Sequence, residues 1–333
     1  MAKPFEIVGI RVAPGTSKPI RIKVSETFAS VPVFVPITVI HGSRPGPVLF
    51  VTAAVHGDEL NGIEVVREIA AGVHARDLSG TLLLVHVVNV MGFQALSRYL
   101  PDGQDLNRAF PGSRAGNLAA NVAHAVFAKI ITHSDYGIDL HTAARGRDNM
   151  PHLRADLRRA GIRKLAGLFG AEVLFDGPGH PYSLRTAAGR AGIPTVVFEA
   201  GESLRFQKDH IAAGVTGVRN VLIGLGMITG SPIRPLTSIV ARRHAWVRAR
   251  RGGILILETH PGELVRKGDV LAVSSKPYGK TVNRITAPFD GLVVGTTTLP
   301  MASPGTPVAH LIRLGPARLR ELRRGRYGER RRG

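Results

Sequence analysis

Two histidines and one glutamate stand out because each follows or ends an apolar segment. The run VTAAVHGDEL places His56 and Glu59 three residues apart, and the run DYGIDLH ends at His141. Two imidazoles and a carboxylate are ligand types of catalytic zinc sites, which keep one further position for water. The pattern therefore predicts one Zn2+ per chain on these three residues. A lone His-x-x-Glu pair also arises by chance, so the residues alone leave a structural origin open.

Neighbouring acidic residues have roles with more than one interpretation. Asp58 and Asp139 could each orient a ligand imidazole or cap the backbone that follows. Glu199 follows the apolar run TVVF, where a half-desolvated carboxylate suits general-base work. Glu202 is the alternative base, and a structural ion pair with an arginine is the alternative role of Glu199.

The segment RYLPDGQDLNRAFPG, residues 98–112, is dense in hydrogen-bonding groups. Guanidinium groups bind carboxylates through two hydrogen bonds and can stabilise a developing oxyanion. The segment is therefore a candidate for substrate contact, although any single arginine in such an arginine-rich chain is more often a surface residue.

The hydrophobic pattern predicts a scaffold that could position these residues. Continuous apolar runs indicate strands buried on both faces, and segments with helical spacing alternate with them. This alternation predicts an α/β fold with a mixed, largely parallel sheet flanked by helices, in which ligands gather at the carboxyl ends of strands. The strands are expected at 47–55, 81–90, 135–141 and 195–200, and the helices at 117–132, 155–169 and 209–227.

The pattern changes after Pro232, and no helix-length periodicity is found up to about residue 314. Residues 252–273 and 290–311 resemble each other and predict a small C-terminal β-sandwich similar to the biotinyl/lipoyl carrier fold. The turn Leu299–Met301 has no lysine, so no swinging arm is expected. The predicted division is a catalytic domain at 1–232, a β-rich domain at 233–315 and a flexible basic tail at 316–333.

Composition excludes some chemistry and leaves other questions open. The 333 residues include no cysteine, which rules out disulfides, Cys-ligated zinc and thiol catalysis. No apolar run has the length of a signal peptide or a membrane span, so a cytoplasmic protein without a membrane partner is expected. The net charge of +20 favours solvated charge or attraction of small anions over nucleic-acid binding. Assembly into a homo-oligomer is an alternative that the sequence leaves open.

Four motifs together resemble the succinylglutamate desuccinylase/aspartoacylase family, a branch of the zinc-carboxypeptidase-like superfamily. They are VHGDELNG at 55–62, RYLPDGQDLNRAFPG at 98–112, IDLHTAA at 138–144 and VVFEAGE at 196–202. The resemblance covers about residues 1–230, and the β-rich C-terminal region has a counterpart in such proteins. It implies a zinc-dependent deacylase that hydrolyses the amide bond of a small anionic N-acyl amino acid.

The resemblance also implies roles for individual residues. In this interpretation Glu199 activates a zinc-bound water and later protonates the leaving amine, while Arg98 stabilises the oxyanion. The metal ligands implied are His56, Glu59 and His141, and the substrate carboxylate is bound by Asn107, Arg108 and Arg185. This sequence departs from the family pattern in two spacings. The spacing from Arg98 to Asn107 is longer than in aspartoacylase, and the spacing from Arg185 to Glu199 also differs. These differences concern the identity of the substrate more than the chemistry.

Two rival functions remain at this level. The same site could serve a metallocarboxypeptidase that cleaves short peptides. A non-catalytic metal- or nucleic-acid-binding protein is the rival from another class, and the complete ligand set with Glu199 argues against it. The sequence does not identify the acyl group or the amino acid.

Overall fold

The structure, a computed structural model, describes residues 2–279 and 281–324. The chain divides into two compact units. The N-terminal unit comprises Met1–Thr142 and Pro151–Val240, and the C-terminal unit comprises Ala143–Met150 and Ala241–Gly333. No helix among the described residues is long and apolar enough to cross a membrane.

The first part of the chain forms most of the strands and six helices. The strands are β1 Phe5–Ile7, β2 Ile10–Val12, β3 Thr16–Glu26, β4 Pro32–His41, β5 Arg44–Ala53, β6 Ser79–Val85, β7 Tyr136–His141, β8 Arg147–Asn149, β9 His152–Ala155, β10 Val173–Asp176, β11 Thr195–Glu199 and β12 Ile239–Ala241. The helices are α1 Asn61–Gly72, α2 Val90–Gln94, α3 Leu118–Lys129, α4 Ala160–Phe169, α5 Leu184–Arg190 and α6 Lys208–Gly224.

A nine-stranded sheet organises the N-terminal unit in the order β12-β10-β9-β11-β7-β5-β6-β4-β3. The central strands β11, β7, β5 and β6 run parallel, whereas β9 pairs antiparallel with β11 and β4 pairs antiparallel with β6. The predicted α/β class with a mixed sheet flanked by helices is thereby confirmed. Parallel pairing brings the carboxyl ends of β5, β7 and β11 to one edge.

The central strands are continuously apolar because both faces of the sheet are covered. In β5, Leu49 and Val51 belong to a core that includes residues of α1, α4 and α6, whereas Phe50 belongs to a second core with α3 and α5. All three side chains are fully buried. Burial on both faces explains why strand prediction from apolar runs succeeded here.

The predicted elements differ from the observed ones mainly at their ends. The helix expected from 155 begins only at Ala160, because Ala155 is the last residue of β9 and residues 156–159 form the turn between strand and helix. The strand expected at 81–90 ends at Val85. Val90, where the strand was expected to end, is instead the first residue of α2. The short strand β9 and the short helix α5 were not predicted.

The C-terminal unit contains two antiparallel sheets in the region where the sequence predicts a small β-sandwich. Its further elements are β13 His244–Arg248, β14 Gly253–Leu257, β15 Leu264–Val265, β16 Val270–Ser275, β17 Thr281–Thr286, β18 Gly291–Thr297, β19 Met301–Ala302, β20 Pro307–Arg313 and α7 Pro316–Arg324. One sheet has the order β13-β20-β18-β15 with β8 against β18, and the other has the order β17-β16-β14-β19. Buried Leu271 and Leu311, one from each sheet, pack in a shared core.

The similar segments 252–273 and 290–311 supply β14–β16 and β18–β20. Strands of one segment also pair with strands of the other, since β14 pairs with β19 and β15 pairs with β18. The segment expected as a basic tail begins with α7, in which Leu319 and Leu322 are buried. Its remainder, residues 325–333, lies outside the described residues.

Close contact between β5 and β7 requires glycine at position 137, and this generates a stability prediction. A Cβ at Gly137 would lie 2.0 Å from Cζ of the fully buried Phe50 ring. We expect Gly137→Ala to lower the free energy of unfolding by about 1–3 kcal/mol, because the packed ring has to shift. Urea denaturation at constant metal concentration measures the change.

Gly167→Ala in helix α4 is the matched control, because nothing lies within 4 Å of a Cβ added there. This change should leave stability unaltered or raise it by about 0.5–1 kcal/mol, since alanine favours helix more than glycine does. Equal effects of the two substitutions would contradict the close packing of Phe50 against β7.

Candidate metal centre and active site

The three predicted metal ligands converge although they come from two segments of the chain. His56 and Glu59 lie in the loop between β5 and α1, and His141 is the last residue of β7. All three are buried, and one ligand atom from each lies within 4.8 Å of the others. The convergence follows from the parallel pairing of β5 with β7, which aligns their carboxyl ends.

The loop that carries His56 is fixed by its backbone. Ala54 adopts a left-handed conformation with φ 51°, uncommon for a residue other than glycine. The carbonyls of Ala53 and Ala54 accept hydrogen bonds from the N–H groups of Val88 and Asn89. Gly57 has no room for a side chain, because an added Cβ would lie 2.0 Å from the carbonyl carbon of Gly92. These contacts hold the ligand loop against the start of α2.

The Glu59 carboxylate lies between the two imidazoles. Its Oε1 is 2.7 Å from His56 Nδ1, and its Oε2 is 2.7 Å from His141 Nδ1. Oε2 also accepts a hydrogen bond from the N–H of Thr142. Burial by itself would raise the pKa of Glu59, but the two histidines outweigh it and hold the pKa well below its usual value.

Each imidazole has a carboxylate at its other nitrogen. His141 Nε2 lies 2.9 Å from Oδ2 of Asp139, whose Oδ1 accepts a hydrogen bond from the Thr52 hydroxyl. His56 Nε2 lies 3.1 Å from Oδ1 of Asp105. Such partners fix the orientation of a ligand imidazole and raise its basicity. Of the two roles considered for Asp139, its contact with His141 corresponds to the orienting role.

Burial favours neutral imidazoles at this site, but the surrounding carboxylates reverse the balance. The pKa of His56 is raised above its usual value by Glu59 and Asp105, and that of His141 is raised further by Asp139 and Glu59. The donor set fits a divalent cation, because Nδ1 of each histidine already faces the carboxylate that would share the ion.

Arg98 adds a positive charge to this cluster. Its guanidinium lies 3.2 Å from Glu59 Oε1 and forms two hydrogen bonds, of 2.9 and 3.2 Å, to Asp105 Oδ2. Asp105 also accepts the N–H of Asn107 at 2.9 Å. Sequence reasoning missed Asp105, although its position in the polar run GQDLNR, two residues before Asn107, was an available signal.

Asp58 contacts a different part of the site. Its side chain is buried, and burial together with the charge of Glu59 raises its pKa. Its carbonyl accepts the N–H of Leu204, which ties the loop after β11 to the ligand loop. Leu204 itself has a left-handed backbone conformation with φ 61°.

Glu199 is the last residue of β11 and is in register with His141 on the neighbouring strand. The Ala200 N–H donates to the His141 carbonyl at 3.1 Å, so the two strand ends are joined directly. Oε1 of Glu199 forms an ion pair with Nε of Arg154 at 3.1 Å. Arg154 is therefore the arginine partner that the alternative interpretation of Glu199 required. An ion pair that orients the carboxylate is also compatible with a role as base.

Arg185 lies in α5 close to this pair. Burial, together with repulsion from Arg154, lowers the pKa of Arg185 to about 10, against attraction by Glu199, Asp156 and Asp139. It stays protonated near neutral pH. Its Nη1 is buried without a hydrogen-bond partner. A buried cationic donor in this state favours an anionic ligand.

The other two predicted substrate-binding residues lie in a short 3-10 turn, Leu106–Arg108. Asn107 is buried, and its Oδ1 accepts the N–H of Leu184 at 2.8 Å. This bond ties the turn to the first residue of α5, next to Arg185. Arg108 donates to the carbonyl of Asn107. The structure thus brings the segment 98–112 and helix α5 together beside the predicted metal ligands.

Comparison with known proteins places this chain in a family. Residues 45–225, more than half of the chain, match the succinylglutamate desuccinylase/aspartoacylase catalytic domain. The chain belongs to this family, as the sequence motifs predicted.

Individual relatives agree with this assignment. The N-alpha-acetyl-L-2,4-diaminobutyric acid deacetylase of Halomonas elongata is 27% identical over 256 residues, which are 72% of this chain and 73% of the relative. The product-bound ectoine utilization protein EutE from Ruegeria pomeroyi has a TM-score of 0.81 and 24% identity, covering 94% of this chain and 98% of that one. A succinylglutamate desuccinylase/aspartoacylase from Rhodobacter sphaeroides has a TM-score of 0.79 and 24% identity, covering 91% and 98%. The two structural matches share the fold.

The raised histidine pKa values predict that metal uptake releases protons. In chelator-treated protein the charged imidazoles contribute stability that is complete below about pH 6.5 and is lost as pH rises through their raised pKa values. A metal ion displaces those protons, so Zn2+ affinity should increase with pH. Calorimetric titration in buffers of different ionisation enthalpy should show release of up to two protons for each ion bound.

His141→Gln should release fewer protons and bind Zn2+ more weakly. His74→Gln, at an exposed histidine outside the cluster, is the matched control and should behave as the unmodified protein. A heat of binding that does not depend on the buffer would contradict the protonated state of the imidazoles.

Proposed function

We propose that this protein is a zinc-dependent deacylase that hydrolyses the amide bond of a small anionic N-acyl amino acid. The observation that carries the proposal is the buried His56, Glu59 and His141 cluster with Glu199 on the adjoining strand end. Membership of a deacylase family and the relative that deacetylates an N-acetylated diamino acid support it.

His56, Glu59 and His141 would hold the metal. Zinc bound there would polarise the acyl carbonyl and make water a stronger nucleophile near neutral pH. Asp105 and Asp139 keep the two imidazoles in the orientation that binding needs, because each accepts a hydrogen bond from the second nitrogen. The remaining chemistry belongs to the side chains around the cluster.

Glu199 is the group placed to move protons. Its carboxylate takes a proton from the water as the water oxygen bonds to the acyl carbon. It then returns that proton to the amide nitrogen as the C–N bond breaks, which yields the carboxylic acid and the free amine. Arg154, ion-paired with Oε1, keeps the carboxylate directed along the strand end. Arg98, held by Asp105, donates hydrogen bonds to the carbonyl oxygen as negative charge develops on it.

The cationic groups beside the cluster define the substrate class. Arg185 presents a buried donor without a partner, and Asn107 with Arg108 adjoins it through the bond to Leu184. A carboxylate is the complementary ligand for a guanidinium group, because two parallel hydrogen bonds can form. The substrate is therefore an amino acid that carries an acyl group on nitrogen and a free carboxylate.

Substitution of Glu199 separates catalysis from metal binding. Glu199→Gln should retain one Zn2+ per chain while turnover falls by about 10²–10⁴-fold, because the amide cannot accept the proton. His141→Ala should lose both metal and turnover. Metal analysis and initial rates with acetyl, succinyl and formyl amino acids, assayed beside short peptides, measure the two effects.

Glu202→Gln is the matched control, since Glu202 lies three residues after Glu199 in the loop that follows β11 and pairs with Arg205. It should keep most of the activity. Full activity of Glu199→Gln would refute the assignment of the base. If short peptides were cleaved faster than every N-acyl amino acid, the protein would be assigned as a carboxypeptidase and not as a deacylase.

Substitution of Arg185 tests the carboxylate site. Arg185→Ala should lower kcat/KM for N-acyl amino acids by roughly 10–100-fold, the effect of losing a charged hydrogen bond. The α-carboxamide of the same substrate should be affected much less, because it offers no charge to the guanidinium. Exposed Arg76→Ala, which removes the same charge, is the control. An equal loss for acid and amide would reject carboxylate recognition by Arg185.

A further inference from the structure

Positive charge is concentrated in the C-terminal part of the chain. From Ala241 to the end there are 19 Lys and Arg against 6 Asp and Glu, a net of +13 in 93 residues. Residues 1–240 have 25 against 18, a net of +7. A general bias toward arginine would act on both parts alike. The difference therefore indicates that the positive charge of residues 241–333 has a function in that part of the chain.

One groove in the C-terminal unit collects part of this charge. Its volume is about 580 Å3, within the range of small-molecule sites. Arg243, Lys267 and Arg313 line it together with Phe289, and Asp290 is the one acidic residue among the lining residues. The Arg313 guanidinium lies over the Phe289 ring, 4.8 Å from its centroid. The groove thus combines three cations with an aromatic ring over which one of them lies.

The three cations are positioned by backbone contacts between separate segments. The Arg313 N–H donates to the carbonyl of Arg243 at 2.9 Å, which places the start of β13 beside the end of β20. Asp290 accepts the N–H of Lys267 through Oδ1 at 2.7 Å, and its carbonyl accepts the N–H of Leu314. The carboxylate is therefore used to shape the groove and brings Lys267 to its rim.

We propose that this groove binds the phosphate-bearing part of a nucleotide, either free or within a single strand. Guanidinium and ammonium groups bind phosphate oxygens, and the three cations outnumber the single carboxylate. The guanidinium plane of Arg313 and the ring of Phe289 are groups on which a base can stack. Helix α7 begins at the same groove with Pro316, and its N-terminal dipole favours the same sign of ligand charge. The proposal is independent of the deacylase activity.

Binding of two probes to the full-length protein tests the proposal. A fluorescent ADP analogue and a labelled single-stranded oligothymidylate are titrated at low and moderate salt, with pyrophosphate as competitor. The double variant Arg243→Ala/Arg313→Ala should weaken binding of the preferred probe by about tenfold or more, the effect of removing two charged contacts. Preference for the oligonucleotide identifies a strand as ligand, and preference for the ADP analogue identifies a free nucleotide.

The matched control is Arg250→Ala/Arg251→Ala, which removes the same charge from two exposed residues outside the groove. It should change affinity by less than about twofold, since general attraction depends only weakly on any two distant charges. Arg313→Lys keeps the positive charge. It should bind the nucleotide probe more weakly, while pyrophosphate should still compete with the probe. Unchanged hydrolysis and thermal unfolding show that each variant is folded.

Three results would overturn the proposal. One is no binding of either probe by the unmodified protein at low salt. Another is an equal loss of affinity in the two double variants, which would assign binding to general charge. The third is binding to phosphatidylglycerol vesicles with no competition by nucleotide or pyrophosphate, which would identify a membrane surface as the partner.

Discussion

The balance of buried charge around Glu59 is the constraint on which the candidate site depends. Three carboxylates, those of Glu59, Asp105 and Asp139, are hydrogen-bonded into one cluster with Arg98 as the fixed cation. Buried charges without compensation are costly, so two further positive charges are required. Two protonated imidazoles or one divalent cation with neutral imidazoles supply them equally well. The cluster therefore stays neutral in either state, and this is why the same geometry suits both.

The fold makes this concentration of charge possible by confining it to one edge of the sheet. Leu49, Val51 and Phe50 fill the cores on the two faces of β5, and polar ligands begin only beyond Ala54. Parallel neighbours end at the same level, so the ends of β5, β7 and β11 bring the candidate ligands and Glu199 close together. A slip of one residue in β7 would turn His141 to the opposite face. The apolar registers of the sheet thus determine the geometry of the polar site.

The sequence revealed those parts of the fold and site that depend on local pattern. The apolar runs of β5, β7 and β11 indicated the strands, and the candidate metal ligands and Glu199 lie at or just after the ends of these strands, where the family motifs also lie. Strand β9 escaped notice because four residues, HLRA, carry too little periodicity, and its antiparallel position beside β11 is a tertiary feature. The contact of Asp105 with His56 joins residues 49 apart in the chain. Residues 143–150 belong to the C-terminal unit, where β8 pairs with β18, a contact between segments about 150 residues apart in the chain.

The surroundings of Glu199 differ from the metal cluster in one respect that bears on the substrate. Two arginines, Arg154 and Arg185, lie near a single glutamate, and Nη1 of Arg185 has no partner. The repulsion between these guanidinium groups contributes to the lowered pKa of Arg185. A carboxylate arriving beside them would remove both the repulsion and the unsatisfied donor, whereas a neutral group would remove neither. A neutral cluster of candidate metal ligands beside a guanidinium group with an unsatisfied donor is the arrangement that the proposed reaction requires, because the amide would be cleaved close to a negatively charged group of the same molecule.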